Sequence, residues 1–538
     1  MKTLEEKIIK IFLFSSIFFF VFFVFYNLNW GAPFYFHPDE RNIASSIVQL
    51  KFPDNLNPNF FAYGAFPIYL IFILGQAFNF LVDPSNLVIR FEQAIIFGRL
   101  LSGVLAVLSI FLIYKTANIL GGRGVAILSS LLAATSTAYL QYSHFGTYEI
   151  WVSFFSLLIA FLFIKFLKSG KNIYFIFGSA VLGIITALKL SSMVLILIPI
   201  YVLLFKSVKK PHFMFRKFFG LLLSTLYIAL VFYIISSPFN FLDFKSFLSS
   251  MQYEGRVAAG TLNVFYTGSF YNTFPILFQY QKVLPFLINP VLTLISLPAL
   301  LYVLAVSIKK RDIYIGLVIL SFALLFISGS LLFAKWTRYL IPSLSFLYII
   351  ISIFLFEIGK KIPKKLFKFI LVIVIASCFV HSFSFIKTSL LSMDTRLEAF
   401  DFAKKNISPD SNILSEVYDL GITPFNDRFK KISLFNFYNL DGGDHETELR
   451  DAIKNADFII LPSQRILKSR MENKNHFPNG HKFYLRLFSG ELGFSKIYET
   501  SCDIFCNITY LGNPVFNVEE TANVFDRPTV FIFKNMNR

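Results

Sequence analysis

Two adjacent carboxylates, Asp39 and Glu40, stand in the stretch Phe34-Tyr35-Phe36-His37-Pro38-Asp39-Glu40-Arg41-Asn42, just after the first long apolar run. Acids are scarce beside the apolar runs of this chain. A carboxylate at the mouth of a bilayer carries a solvation cost that lipid does not relieve, so the pair is first of all a candidate site. It is also an ordinary helix start, because Pro and acids favour the first turn and the positive end of the helix dipole. Two bases stand out in the same way. Lys189, between two apolar runs, and Arg338, within Lys335-Trp336-Thr337-Arg338-Tyr339, suit a phosphate: Arg offers a planar fork of donors and Lys a mobile point charge. The plainer alternative is that each base only snorkels to the membrane interface.

The chain that must position these groups has 538 residues, 55% hydrophobic and 15% charged, against roughly 25% charge in soluble domains. That balance describes a polytopic membrane protein. A net charge of +18 would suit a nucleic acid if the bases crowded one soluble face. They lie instead in short clusters between apolar runs, where they report topology and contact with anionic membrane lipids, so no nucleic-acid partner is expected. Cys378 falls in an apolar run and reads as a small buried hydrophobe. Cys502 and Cys506 are spaced for a local disulfide if their region is extracytoplasmic.

Apolar runs of about 17–25 residues cross the hydrocarbon core as helices. Eleven are predicted, at 11–28, 95–114, 124–141, 148–167, 172–188, 190–205, 218–236, 283–306, 313–332, 339–356 and 367–386. The first follows Lys2, Lys7 and Lys10 without a small-residue cleavage site, so it is expected to stay as an anchor. The run 66–82 is long enough to cross as well, and parity decides its placement. If it does not cross, the base clusters around Lys115, Lys168, Lys209, Lys309 and Lys364 all fall on the side of the N-terminus, the positive-inside pattern. It is therefore expected to lie against the outer face, as an amphipathic or re-entrant helix within a first external loop of residues 29–94.

That topology makes a multi-pass cell-membrane protein with a cytoplasmic N-terminus. Asp39, Glu40, His144, Glu149, Lys189 and the 335–339 segment then face outward. Lys335 and Arg338 are stacked on the side where bases are disfavoured, which strengthens the phosphate reading. Residues 1–386 form the membrane domain. Residues 387–538 change to mixed charge, with Gly, Pro and Asn turns, apolar runs at 413–417, 432–437, 458–462 and 530–533, and helical spacing over 445–456. They are expected to form an extracytoplasmic α/β domain.

The series His37-Pro38-Asp39-Glu40, Asn57-Pro58-Asn59-Phe60-Phe61-Ala62-Tyr63, Gly98-Arg99-Leu100-Leu101-Ser102, Gln141-Tyr142-Ser143-His144-Phe145, Thr186-Ala187-Leu188-Lys189, Ser237-Pro238-Phe239 and Arg338-Tyr339-Leu340-Ile341-Pro342 resembles the GT-C glycosyltransferases, in the branch of the protein O-mannosyltransferases and aminoarabinose transferases. The resemblance covers roughly residues 8–390. It implies a polyprenyl-phosphate-sugar donor, a glycan, lipid or protein acceptor, and the first-loop acids at the catalytic centre. On that basis Asp39 is expected to take the acceptor proton and Glu40 to orient acceptor or donor. Arg338 and Lys189 would stabilise the leaving phosphate, so a single inverting displacement needs no second carboxylate flanking the bond. Glu149, His144, Tyr63 and Lys335 complete the expected substrate-binding set. No cofactor is expected. A divalent metal held by His37, Asp39, His144 and Glu149 is the weaker alternative, because these residues lack ligand spacing. The aminoarabinose branch has a first-loop Lys where this chain has Phe61-Ala62-Tyr63-Gly64-Ala65, which argues against its donor and its lipid A acceptor.

Two other functions compete: a flippase for a lipid-linked sugar, and a non-catalytic envelope assembly protein. Transporters favour symmetric halves with sites near mid-membrane, whereas these charges gather at one face, and eleven spans exceed what an anchor needs.

Overall fold

The computed structural model describes residues 15–209, 215–443, 445–519 and 521–538. Among them, eight helices are long and apolar enough to cross a membrane: Ala65–Val82, Phe91–Ala134, Glu149–Ser169, Arg216–Ser236, Pro290–Lys310, Ile313–Ser330, Ile341–Gly359 and Lys364–Leu390. Shorter apolar helices cover Ser15–Val24, Asn172–Leu188 and Leu190–Lys206. Residues 11–14 of the first predicted span, and the lysines before it, lie outside the described residues.

The departures from the predicted spans have local causes. Runs 95–114 and 124–141 join in one helical stretch, Phe91–Ala134, kinked at Gly122, whose φ of 77° is outside the helical region and suits only a residue without Cβ. The second of these runs stops short at Ala134. Ser136 then caps a new helix, Thr137–Ser143, by accepting from the Tyr139 N–H. The run 283–306 breaks at Asn289, which has a φ of 74°; its side chain caps the helix Pro290–Lys310 by accepting from Leu292 N–H at 2.9 Å. The run 190–205 begins as a 3-10 turn, Leu190–Ile196, before the helix Leu197–Lys209.

The helix Ala65–Val82 packs antiparallel to the first turns of Phe91–Ala134. Gly75 meets Ile89, Phe78 meets Phe97 with ring centroids 5.5 Å apart, and Gln93 donates to Asn79 at 3.0 Å. Its N-terminus is tied to the end of Asn172–Leu188, where Gly64 N–H donates to Leu188 carbonyl at 3.0 Å.

The C-terminal region folds as an α/β domain around a five-stranded mixed sheet: β1 (Ile413–Glu416), β2 (Ile432–Phe435), β3 (Phe458–Leu461), β4 (Phe494–Glu499) and β5 (Phe531–Asn535). The order is β2-β1-β3-β5-β4, with β1 parallel to β2 and β3, and β5 antiparallel to β3 and β4. Four strands fall on the predicted apolar runs. β4, with Lys496 and exposed positions in its edge, carries too little apolar signal to be read from sequence. Cys502 and Cys506 are disulfide-bonded and Cys378 is a buried free thiol.

One apolar cluster unites the membrane helices with Cys506, Tyr510, Val518 and Ala522 of the C-terminal region. Tyr510 stacks on Phe286 at 5.7 Å and Phe505 meets Phe383 at 5.8 Å. The C-terminal domain is thus seated on one end of the helix bundle, over the first-loop acids.

Candidate active site

The helix Pro38–Val48 begins as both readings of its sequence require: Pro38 is its first residue, and Asp39 and Glu40 fill its first turn. Consecutive residues on a helix point about 100° apart, so the two carboxylates part company. Asp39 pairs with Arg338, whose Nη1 also donates to the Tyr63 hydroxyl at 2.9 Å. Arg338 lies over the Trp336 ring at 4.8 Å. Burial pushes the Asp39 carboxyl up, but the Arg338 guanidinium, with His37 and the Tyr63 hydroxyl, outweighs it and holds the group below its ordinary value.

Lys189 follows the helix Asn172–Leu188 in an extended conformation and places its ammonium 4.5 Å from the centre of the Tyr339 ring, next to Arg338. Two distant segments, Gly64-Ala65 and Ser237, lock the backbone before it. Gly64 N–H reaches Leu188 carbonyl at 3.0 Å, the Ser237 hydroxyl donates to Ala187 carbonyl at 3.2 Å, and Ala65 N–H donates to the same hydroxyl at 3.2 Å. A Cβ on Gly64 would stand 1.7 Å from the Ala187 oxygen, so no other residue fits.

Glu149 opens the helix Glu149–Ser169 and is buried. Its Oε2 has no hydrogen-bond partner, and its charge reaches His37, Tyr63, Lys189 and Arg338. The His37 ring sits between Phe145 and Phe525, at 4.6 and 4.7 Å, with Nδ1 unpaired. Burial lowers its pKa despite the surrounding acids. The hydroxyls of Tyr142 and Tyr148 are also buried and unpaired. A fold does not leave this many polar atoms unsatisfied in one region without a ligand or water to meet them.

Three of the expected residues stand elsewhere. Glu40 is fully engaged: Arg99 donates from Nε to Oε1 at 2.9 Å and from Nη2 to Oε2 at 2.6 Å, and Gly146 N–H adds a third bond at 2.6 Å. The pair is 0% and 1% exposed. Arg99 further donates to the carbonyls of Leu28 and Trp30 and stacks on the Trp30 ring at 4.2 Å. Glu40 therefore ties the first loop to the helix bundle and is sealed from substrate. His144 bonds through Nδ1 to Leu140 carbonyl at 2.7 Å and faces a separate cavity of about 300 Å³ bordered by Trp30, Thr388 and Asp526. Lys335 is buried and donates to Phe333 carbonyl at 3.0 Å, two residues from its own backbone. Among the described residues no three His, Cys, Asp or Glu side chains converge as a metal site, the set His37, Asp39, His144 and Glu149 included.

The sequence reading missed what the C-terminal domain contributes. Phe525 covers His37, Arg465 adds positive charge within reach of Asp39, and Glu519 accepts from the Thr337 N–H and hydroxyl at 2.9 and 2.6 Å. Arg396 lies over Phe36 at 4.0 Å. Glu254, in the helix Phe244–Ala259, also reaches the field of Arg338 and Asp39. None of these stands in a sequence pattern that signals chemistry.

Residues 86–236 match the family described as dolichyl-phosphate-mannose-protein mannosyltransferase. No curated protein matches the chain. Among solved structures, the archaeal oligosaccharyltransferase AglB from Archaeoglobus fulgidus, in complex with an inhibitory peptide and a dolichol-phosphate, aligns with a TM-score of 0.49 and 13% identity over 91% of this chain and 73% of its own. ArnT from Cupriavidus metallidurans bound to undecaprenyl phosphate aligns with a TM-score of 0.49 and 12% identity, over 99% of this chain and 98% of its own. The family matched is one of glycosyltransferases, and the matched segment includes Arg99, Glu149 and Lys189.

Proposed function

We propose that the protein moves a sugar from a polyprenyl-phosphate donor to an acceptor hydroxyl at the outer face of the cell membrane, with Asp39 as the base. The observation that carries this reading is the convergence of Asp39, Arg338, Tyr63 and Lys189 from four distant segments into one partly buried polar cluster. Both members of the Asp39–Arg338 pair remain accessible, at 18% and 19% exposure. A pair serving only the fold would be sealed, as Glu40–Arg99 is.

The chemistry follows from the groups. Asp39 accepts the proton of the acceptor hydroxyl as its oxygen attacks the anomeric carbon. The bond from that carbon to the donor phosphate oxygen breaks, and its electrons stay on the phosphate. Arg338 and Lys189 stabilise that charge, so the leaving group needs no proton. Attack opposite the departing phosphate inverts the anomeric centre. In the resting pair Arg338 keeps Asp39 a weak base; a phosphate that competes for the guanidinium frees the carboxylate and restores its basicity. Donor binding then prepares both ends of the displacement.

The test uses membrane vesicles and a radiolabelled polyprenyl-phosphate hexose. Labelled product is expected from the unmodified protein and not from Asp39→Asn. Undiminished product from Asp39→Asn and Asp39→Ala would remove Asp39 from the chemistry. Label that crosses the bilayer without transfer would favour a flippase.

A further inference from the structure

We propose that Glu519, from the C-terminal domain, is a positioning residue for the donor phosphate that sets the direction of Arg338; this rests on the reading of Arg338 as the phosphate partner. Glu519 is 1% exposed, and its Oε2 accepts from Thr337 twice, from N–H at 2.9 Å and from Oγ1–H at 2.6 Å. Thr337 opens the single 3-10 turn Thr337–Tyr339. The first N–H groups of such a turn have no partner within it, and a carboxylate there meets both the unpaired donor and the positive end of the peptide dipoles.

The next residue is Arg338. The turn runs through Leu340 into the helix Ile341–Gly359, so its free end is the one that Thr337 opens, where the backbone N–H has no partner within the turn. Arg338 is accordingly fixed at two ends: its guanidinium by Asp39 and Tyr63, and its backbone by Glu519 through Thr337. When a donor phosphate replaces Asp39 as the partner of the guanidinium, the first restraint is lost and the second remains. Glu519 then keeps Arg338 aimed at the phosphate during the displacement. The C-terminal domain thereby acts on the leaving-group side of the reaction without touching substrate. Glu519 Oε1 has no hydrogen-bond partner and borders a neighbouring cavity of about 270 Å³ with Ser269, Lys468 and Asn473, so the carboxylate is not consumed by docking contacts alone.

The experiment titrates the full chain in detergent with undecaprenyl phosphate and reads tryptophan fluorescence, Trp336 lying under Arg338. Glu519→Gln keeps the shape but replaces a charged acceptor by a neutral one, and is expected to weaken binding by roughly tenfold. Thr337→Val removes only the hydroxyl donor and should weaken it by a smaller factor. In an Arg338→Gln background, where binding rests on Lys189, neither change should matter beyond roughly twofold. Equal factors in both backgrounds would make Glu519 a docking residue and overturn the inference alone. Unchanged binding in both single variants would also overturn it. No binding of undecaprenyl phosphate by the unmodified chain would remove the phosphate reading of Arg338, and the inference with it.

Discussion

Arg338 and Asp39, 299 residues apart in the chain, form an ion pair, and the same guanidinium nitrogen donates to the Tyr63 hydroxyl at 2.9 Å. The pair holds the proposed base and the proposed leaving-group cation together before any substrate arrives. Its accessibility means that a phosphate can compete for it. Loss of a positioned base typically costs about 10²–10⁴ in rate. Asp39→Asn should therefore lower label transfer by that factor in initial-rate assays, and Arg338→Lys, which loses the planar fork, should raise the donor KM.

Glu40, the neighbour of Asp39 in the chain, and its partner Arg99 predict the opposite behaviour. Removing one member of a sealed pair strands the other, at a cost of about 3–5 kcal/mol. Arg99→Ala should lower the thermal unfolding midpoint in detergent sharply. Asp39→Asn should leave that midpoint nearly unchanged while lowering transfer by about 10²–10⁴. A stable, active Arg99→Ala protein would mean that the first loop is held by other contacts.

Gly64 governs Lys189 through the backbone. Its missing side chain lets Gly64 N–H reach the Leu188 carbonyl, and a Cβ would collide with the Ala187 oxygen at 1.7 Å. Gly64→Ala must push the Ala187-Leu188-Lys189 segment away, at about 1–3 kcal/mol or more. The expected result is a raised donor KM with acceptor KM unchanged, read from titrations of each substrate.

In the C-terminal domain Glu416, at the end of β1, is fully buried, and burial pushes its carboxyl up to about 8. Tyr484 donates to its Oε1 at 2.5 Å, while Oε2 is unpaired. Above the ordinary carboxylate pKa the unfolded chain gives up this proton and the folded one keeps it. Stability then falls as pH rises from about 4.5 toward about 8, and levels off above it. Hydrogen exchange of the β1 and β3 amides, corrected for intrinsic rates, should show protection falling across that window. Glu416→Gln should reduce the slope and raise protection at pH 8.

Much of the site was written in local chemistry. Asp39 after a Pro, Lys189 at a break between apolar runs, and Arg338 beside Trp336 are each marked by a charge where hydropathy does not want one. Glu40 looked equivalent to Asp39 because adjacent residues share a sequence context. The helix turned them toward different partners, one accessible and one sealed. Lys335 and His144 were placed in the site by nearness in sequence, yet their side chains fold back onto local carbonyls. Gly122 and Asn289 broke predicted spans through backbone conformations that apolar periodicity does not record.

The sequence by itself determined that this is a polytopic membrane protein with an α/β C-terminal domain, because burial in lipid and strand formation leave a residue-by-residue signature in hydropathy. It also carried the family resemblance and the main acids and bases. Only the tertiary structure decided which charges meet, and that Glu519, Arg465 and Phe525 of the C-terminal domain reach Thr337, Asp39 and His37. Pairing between residues hundreds of positions apart depends on how whole helices and domains pack, and no local pattern encodes it.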